Sequence, residues 1–225
     1  MFIGHFAVGF AAKRAVPRVS LGMLFVAALF ADILWPVLVL LGIEQVRIDP
    51  GNTVVTPFDF VSYPWSHSLL MLVVWGVLVG GAYRGIAGGR RSFIVLAALV
   101  VSHWVLDWVT HRPDMPLYPD GPKFGLSLWN SLGGTVVVEV LLFAAGLFLY
   151  FRATRPRTGV GRWASLTLAV TLVAIYVGDM FSGTVPPSVT AIGVAALAGS
   201  ALLTAWAWWA DRGREPRPDG AARLV

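Results

Sequence analysis

The chain has 225 residues, 57% of them apolar and 13% charged, with a mean hydropathy of +0.74. That balance excludes a soluble globular domain and predicts an all-α polytopic membrane protein, because only lipid can face so much apolar surface. The net charge of +5 would suit nucleic acid in a soluble chain, but here the arginines lie between apolar runs and not in a patch interleaved with stacking aromatics, so no nucleic acid is expected as a partner.

Residues 1–12 are apolar but reach only half of a membrane, which predicts a short half-helix dipping into the bilayer or packed against other helices. The first long apolar run starts near Val19 with no small-residue cleavage site behind it, so the N-terminus is expected to be retained. Runs able to cross a hydrocarbon core of roughly 30 Å follow at 19–41, 66–83, 93–109, 132–151, 163–181 and 189–210, which makes about six spans. Residues 43–64 and 113–134 are rich in proline and glycine, and such stiff irregular segments can rim or cover a pocket. The stretch from Arg152 to Arg162, with Pro156, Gly159 and Gly161, divides a core of residues 1–152 from a terminal helical hairpin, 153–225. Ala191, Ala195 and Gly199 repeat at four-residue spacing in that hairpin and predict close helix packing, so the hairpin is expected to be scaffold. Trp163, Trp206, Trp208 and Trp209 read as interfacial belt residues.

Basic residues set the orientation. Lys13, Arg14 and Arg18 precede the first span; Arg84, Arg90 and Arg91 separate the second and third; Arg152, Arg155, Arg157 and Arg162 separate the fourth and fifth; Arg212, Arg214, Arg217 and Arg223 form the tail. Every alternate connection is basic, which places those loops and the C-terminus in the cytoplasm.

Ionisable groups inside apolar runs are costly and mark function. They are Asp32, Asp107, Glu139 and Asp179, together with all four histidines: His5, His67, His103 and His111. Counting about 1.5 Å per residue from the nearest basic loop places Asp32, His103 and Glu139 about 18 to 20 Å up, Asp107 about 24 Å, His67 about 26 Å and His111 about 30 Å. His5 falls lower, at about 12 Å. Four separate segments thus bring polar groups to one layer in the outward half of the membrane. His103, Asp107 and His111 share one helix face at four-residue spacing. His103 and His111 stand about 12 Å apart along a regular helix, so either Asp107 bridges two ions or the helix unwinds near Pro113 and turns His111 inward. Ser66 is expected to cap the helix that carries His67, with Ser68 adding a hydroxyl. Asp179, near the end of its span, reads as a helix-end residue. With no cysteine in the chain, a metal has only imidazole and carboxylate ligands to use.

The segments GHFAVGF near the start, Ala31-Asp32, SHS around His67, SHWVLDWVTH from Ser102 to His111 and the following PLYPDGPKFGLSLWNS resemble the bacterial membrane-bound metal-dependent hydrolase-like family, also called LexA-binding or LexA-regulated inner-membrane hydrolases. The resemblance covers residues 1–152. Members are described as distantly similar to zinc-dependent phospholipase C, which implies hydrolysis of a phosphoester in lipid and a metal held by His5, Asp32, His67, His103 and Asp107, with His111 adjoining. The first span has Asp32-Ile33-Leu34 where the family pattern carries a second carboxylate, so one family ligand is absent.

The expected function is therefore a metal-dependent hydrolase in the bacterial inner membrane, acting on a membrane lipid or lipid-like substrate with zinc, or manganese as the second choice. Glu139 and His111 are the candidates for proton transfer. The rival expectation is a proton- or ion-coupled transporter or channel built on the same His/Asp relay.

Overall fold

Backbone polar groups in lipid have only one another to bond, so the long apolar runs fold as helices. The structure, a computed structural model, describes residues 1–217; Arg223 of the basic tail lies outside the described residues. The chain runs α1 (Ile3–Ala12), α2 (Leu21–Ala28), α3 (Phe30–Leu40), β1 (Gln45–Ile48), β2 (Phe58–Ser62), α4 (Pro64–His67), α5 (Leu69–Ile86) and α6 (Arg90–Thr110). There follow β3 (Met115–Pro116), β4 (Lys123–Phe124), a 3-10 turn (Leu128–Asn130), α7 (Leu132–Ala153), β5 (Thr154–Pro156), α8 (Gly159–Ser182), α9 (Val189–Arg212) and β6 (Arg214–Pro216). Helices α5 to α9 are each long and apolar enough to cross a membrane, and α2 with α3 brings the number to six if the bent pair counts as one span. The strands pair only as short antiparallel ribbons, β1 with β2, β3 with β4 and β5 with β6.

The first expected span is not one helix. α2 and α3 meet at 56°, and the break falls at Leu29, where φ is −100° and ψ is 11°. A continuous helix would give the Ala28 carbonyl to the Asp32 N–H; instead that carbonyl accepts from His103 Nδ1 at 2.9 Å. One turn on, Pro36 has no N–H to return to the Asp32 carbonyl. Asp32 therefore sits in the first turn of α3, next to two irregularities in the helix ladder.

The second span also starts differently from the sequence expectation. Ser68, not Ser66, is the cap: it is extended, and its hydroxyl accepts from Met71 N at the start of α5. Ser66 lies inside the single turn α4 and is free for other work.

Half-helix α1 occupies the middle of the fold, packed against α7, α2 and α6. It fits because its inner face is small and the facing residue on α7 is Gly146, where any Cβ would collide with the Ala7 backbone. Its first turn is capped from α7, since Glu139 Oε2 accepts from Phe2 N at 2.9 Å and Gly4 N at 3.1 Å. A carboxylate at that end also suits the helix dipole. Below His5, Phe6 and Phe10 interlock edge-to-face with Phe25, and Phe10 packs on Phe143 and Tyr150. This aromatic cluster fills the interior on the side away from Glu139.

The terminal hairpin docks through α9, which lies along α2 and α3. Gly22 permits the approach, with the Trp208 and Thr204 backbone where its side chain would be. Trp206, expected at the membrane interface, instead packs inward and donates from its indole to the Ala164 carbonyl at 3.1 Å; Trp163, Trp208 and Trp209 do face outward. α7 and α8, neighbours in sequence, scarcely touch as helices.

A candidate metal centre at Asp107

The fold brings all four histidines to one carboxylate. His103 Nε2 lies 3.0 Å from Asp107 Oδ2, and His67 Nε2 and His111 Nε2 each lie 3.9 Å from the same oxygen. His5 Nε2 is 2.9 Å from the other oxygen, Oδ1, and its ring stacks on that of His103 with centroids 3.8 Å apart. The nitrogen of Met1 is 2.6 Å from Oδ1. Asp32 Oδ1 closes the group from the α2–α3 break, 3.6 Å from His103 Nε2 and 3.8 Å from His67 Nε2. Two overlapping triads result, His5–His103–Asp107 and Asp32–His67–His103, each with ligand atoms within 4.8 Å of one another.

His111 reaches the group because α6 stops at Thr110. It is the C-cap, with extended backbone (φ −67°, ψ 152°), so it leaves the helix line and turns inward. Of the two sequence alternatives, the helix end is the one seen, and Asp107 also stands between the two rings.

Hydrogen bonds on the outer side of three rings decide which nitrogen is free. The Ala28 carbonyl can only accept, so His103 Nδ1 donates to it. Ser66 Oγ gives its single proton to Glu44 Oε2 at 2.6 Å and must accept from His67 Nδ1 at 2.7 Å. His111 Nδ1 donates to Asp114 Oδ1 at 3.0 Å, an oxygen that also accepts from the Tyr63 hydroxyl at 2.8 Å. Burial, reinforced by the Asp114 carboxylate, holds the Tyr63 hydroxyl well above its usual range, so it remains a donor. Burial also pushes His111 below its ordinary value, which favours the neutral ring. In a neutral ring with Nδ1 protonated, Nε2 carries a lone pair. With all three rings neutral, three such lone pairs aim at carboxylate oxygens, and His103 Nε2 is buried without a hydrogen-bond partner.

Lone pairs facing carboxylates repel unless a cation stands between them. Donors at about 2.0 to 2.2 Å from a tetrahedral ion are about 3.3 Å apart, close to the 3.0 to 3.9 Å found between the Nε2 atoms and their carboxylate neighbours. The residues present thus fit a divalent metal, with Glu44–Ser66, Ala28 and Asp114 as the outer groups that fix each ring. Ser66→Ala is expected to weaken zinc affinity by about 10- to 100-fold, since it frees the His67 ring while removing no ligand. Competition against a chromophoric zinc chelator measures it; an unchanged affinity would remove Ser66 from the centre.

The group opens into a cavity of about 360 Å³. The Asp32 side chain is 40% exposed there, against 3% for Asp107. Glu139 also faces the cavity, with Oε2 committed to α1 and Oε1 buried and unpartnered. Phe58, Phe60 and Trp129 from the two proline-rich connections form part of the wall, and Arg112 ties them together by pairing with Asp59, Asn52 and Asp114. Asp179, in the last turn of α8 as its helix-end reading expects, lines the cavity too.

Glu44, Ser66, Tyr63 and Asp114 were not among the sequence candidates. The spacing His111-x-x-Asp114 was readable as a local pair, whereas Glu44 meets Ser66 across a hairpin and left no mark in the sequence.

Helical spans enclosing a buried cluster of histidine and aspartate define a polytopic membrane protein with a polar centre. The family model described as "YdjM inner membrane protein" matches residues 1–182. The chain belongs to that inner-membrane family, and the match runs past residue 152 through the whole of α8. No curated protein and no solved structure matches it.

Proposed function

We propose that this protein is a metal-dependent hydrolase acting on a lipid or lipid-linked phosphoester in the outer half of the bilayer, with its C-terminus in the cytoplasm. The observation that carries the reading is the set of three imidazoles, each tied at Nδ1 and each aiming Nε2 at Asp107 Oδ2. Asp32, His67, His103 and Asp107 hold the metal, with His5 completing the set; imidazole and carboxylate donors favour zinc, then manganese. When bound, the metal supplies a more acidic water and Lewis-acid pull on a phosphoryl oxygen.

The chain's own groups supply the rest. Asp32, the most accessible member, meets the substrate first. Glu139 Oε1 faces the same cavity without a partner and accepts a proton there, while Oε2 keeps α1 and His5 in place. His111 lines the cavity beside Trp129, ring centroids 4.2 Å apart, and, once it has taken up a proton at Nε2, is the candidate to protonate a leaving oxygen. Phe6, Phe10, Phe25 and Phe143 argue against the transport reading, because they offer no polar group to carry a proton or ion from the centre to the next buried polar side chain, Tyr150. A family of the inner membrane accords with a substrate that is itself a membrane lipid.

The test is phosphate or phosphomonoester release from zinc-loaded protein in nanodiscs of phosphatidylglycerol and phosphatidic acid. Asp32→Asn, an isosteric change at a half-exposed side chain, is expected to abolish release. Equal release by the variant and the parent would overturn the assignment.

A further inference from the structure

The cavity does not end at the histidines. From the polar group it continues to the terminal hairpin, where its wall is Ile192, Ala195, Ala196, Gly199 and Leu203 of α9 and Met180 of α8. The small-residue row expected to bind another helix tightly does not do so at Gly199, where an added Cβ would meet nothing within 4 Å. The row instead borders open space. One end of that space is ionic, with Asp32, Asp107 and the unpartnered, buried Oε1 of Glu139; the α9 wall at the other is apolar and small-residue apart from Ser200, with Asp179 beside Met180 on α8.

The cavity also borders a loosely packed seam between two helices. α7 and α8 scarcely touch, yet Glu139 of α7 and Ile175, Asp179 and Met180 of α8 all line the cavity, so it lies in the gap between two helices long enough to cross the membrane. Asp179 is the carboxylate on the outer part of that gap. A seam of this kind is where a molecule already dissolved in the bilayer would enter.

We infer that the α8–α9 hairpin forms a slot for one hydrocarbon chain of the substrate, entered laterally between α7 and α8, with Gly199 and Ala195 setting how far the chain extends. The inference rests on the hydrolase reading for the placement of the head group at Asp32 and Asp107, and it names an acyl lipid as the occupant. The observation favouring a chain over a polar solute is the gradient along one continuous cavity, from carboxylates and imidazoles to alanine, glycine and isoleucine. At about 360 Å³ the space is of the size that takes a small ligand or part of a larger one.

Photolabelling of the full chain in phosphatidylglycerol nanodiscs tests it, with phosphatidic acid bearing a diazirine at the end of one acyl chain as the probe. Adducts are expected on the α9 peptide around Ala195 to Gly199 and at Met180. Gly199→Phe should reduce these to background while zinc content stays at the parent level, and Val194→Phe, on the lipid-facing side of α9, should leave them unchanged. Ala196→Phe is the second blocking variant if Gly199→Phe does not fold. Undiminished labelling in a folded blocking variant, or equal loss in Val194→Phe, overturns the slot. A parent that takes up no zinc but labels as described supports the slot while removing the hydrolase reading.

Discussion

Asp107→Asn and His103→Ala proteins are expected to purify without zinc, while the parent carries it at near-stoichiometric level. Asp107 is the point at which the centre converges, with His5 and the Met1 nitrogen on Oδ1 and the Nε2 atoms of His67, His103 and His111 around Oδ2. Asparagine keeps the shape and can donate an amide proton toward one of those lone pairs, so folding should survive while the charge that balances a divalent ion is lost. Linkage sets the size of the effect on stability: a metal held at 100 times its Kd contributes about 2.7 kcal/mol. A chelator should therefore lower the Tm of the parent and leave both variants where they are. Elemental analysis beside thermal unfolding in detergent reads both quantities. Metal retained at the parent level in Asp107→Asn would show that the ion sits elsewhere, and no metal in the parent after reloading would remove the metal centre altogether.

Asp211→Ala is expected to be the most destabilising single change outside the centre, by about 3 to 5 kcal/mol, the range for removing one partner of a buried ion pair. Asp211 Oδ2 is 2.5 Å from Lys13 Nζ and accepts from Leu21 N at 3.0 Å, and Oδ1 accepts from the Tyr150 hydroxyl at 3.2 Å. Both charged side chains are less than a tenth exposed. One carboxylate at the end of α9 thus binds the connection after α1, the first turn of α2 and the last part of α7. Alanine would leave the Lys13 ammonium with only the Val19 carbonyl, and the Leu21 N–H and the Tyr150 hydroxyl without the carboxylate that accepts from them. The double variant Lys13→Met, Asp211→Leu should recover much of the loss, because two apolar groups cost less in a buried site than one unpaired charge. Reversible unfolding in mixed detergent micelles compares the three; a double variant as unstable as Asp211→Ala would mean that the Leu21 and Tyr150 contacts, not the ion pair, dominate.

Lys13 shows where a sequence count stops being informative. Beside Arg14 and Arg18 it reads as one of the basic residues that orient the chain, yet in the fold it is buried against an aspartate 198 positions away. His5 shows the same in the opposite direction. Residue counting placed it below the polar layer, but α1 is packed among α7, α2 and α6 with its start held by Glu139, and this puts the ring against Asp107. Gly199 is a third case: four-residue spacing of small residues allows a helix to pack there or leaves a hollow, and only the neighbouring helices decide which.

The hydropathy pattern alone determined that this is a helical membrane protein with about six spans, because a lipid-facing backbone must satisfy its own hydrogen bonds and each span needs about 20 apolar residues. It also singled out Asp32, Asp107, Glu139, Asp179 and the four histidines, since each stands out against an apolar background. Which nitrogen of His67, His103 and His111 is free was decided only by tertiary contacts: the Ala28 carbonyl released at a helix break, the Glu44–Ser66 pair and Asp114. The break itself, the turn of His111 out of α6 and the hollow beside α9 were decided there too. These depend on distances between segments far apart in the chain, and a one-dimensional period of 3.6 residues carries no such information.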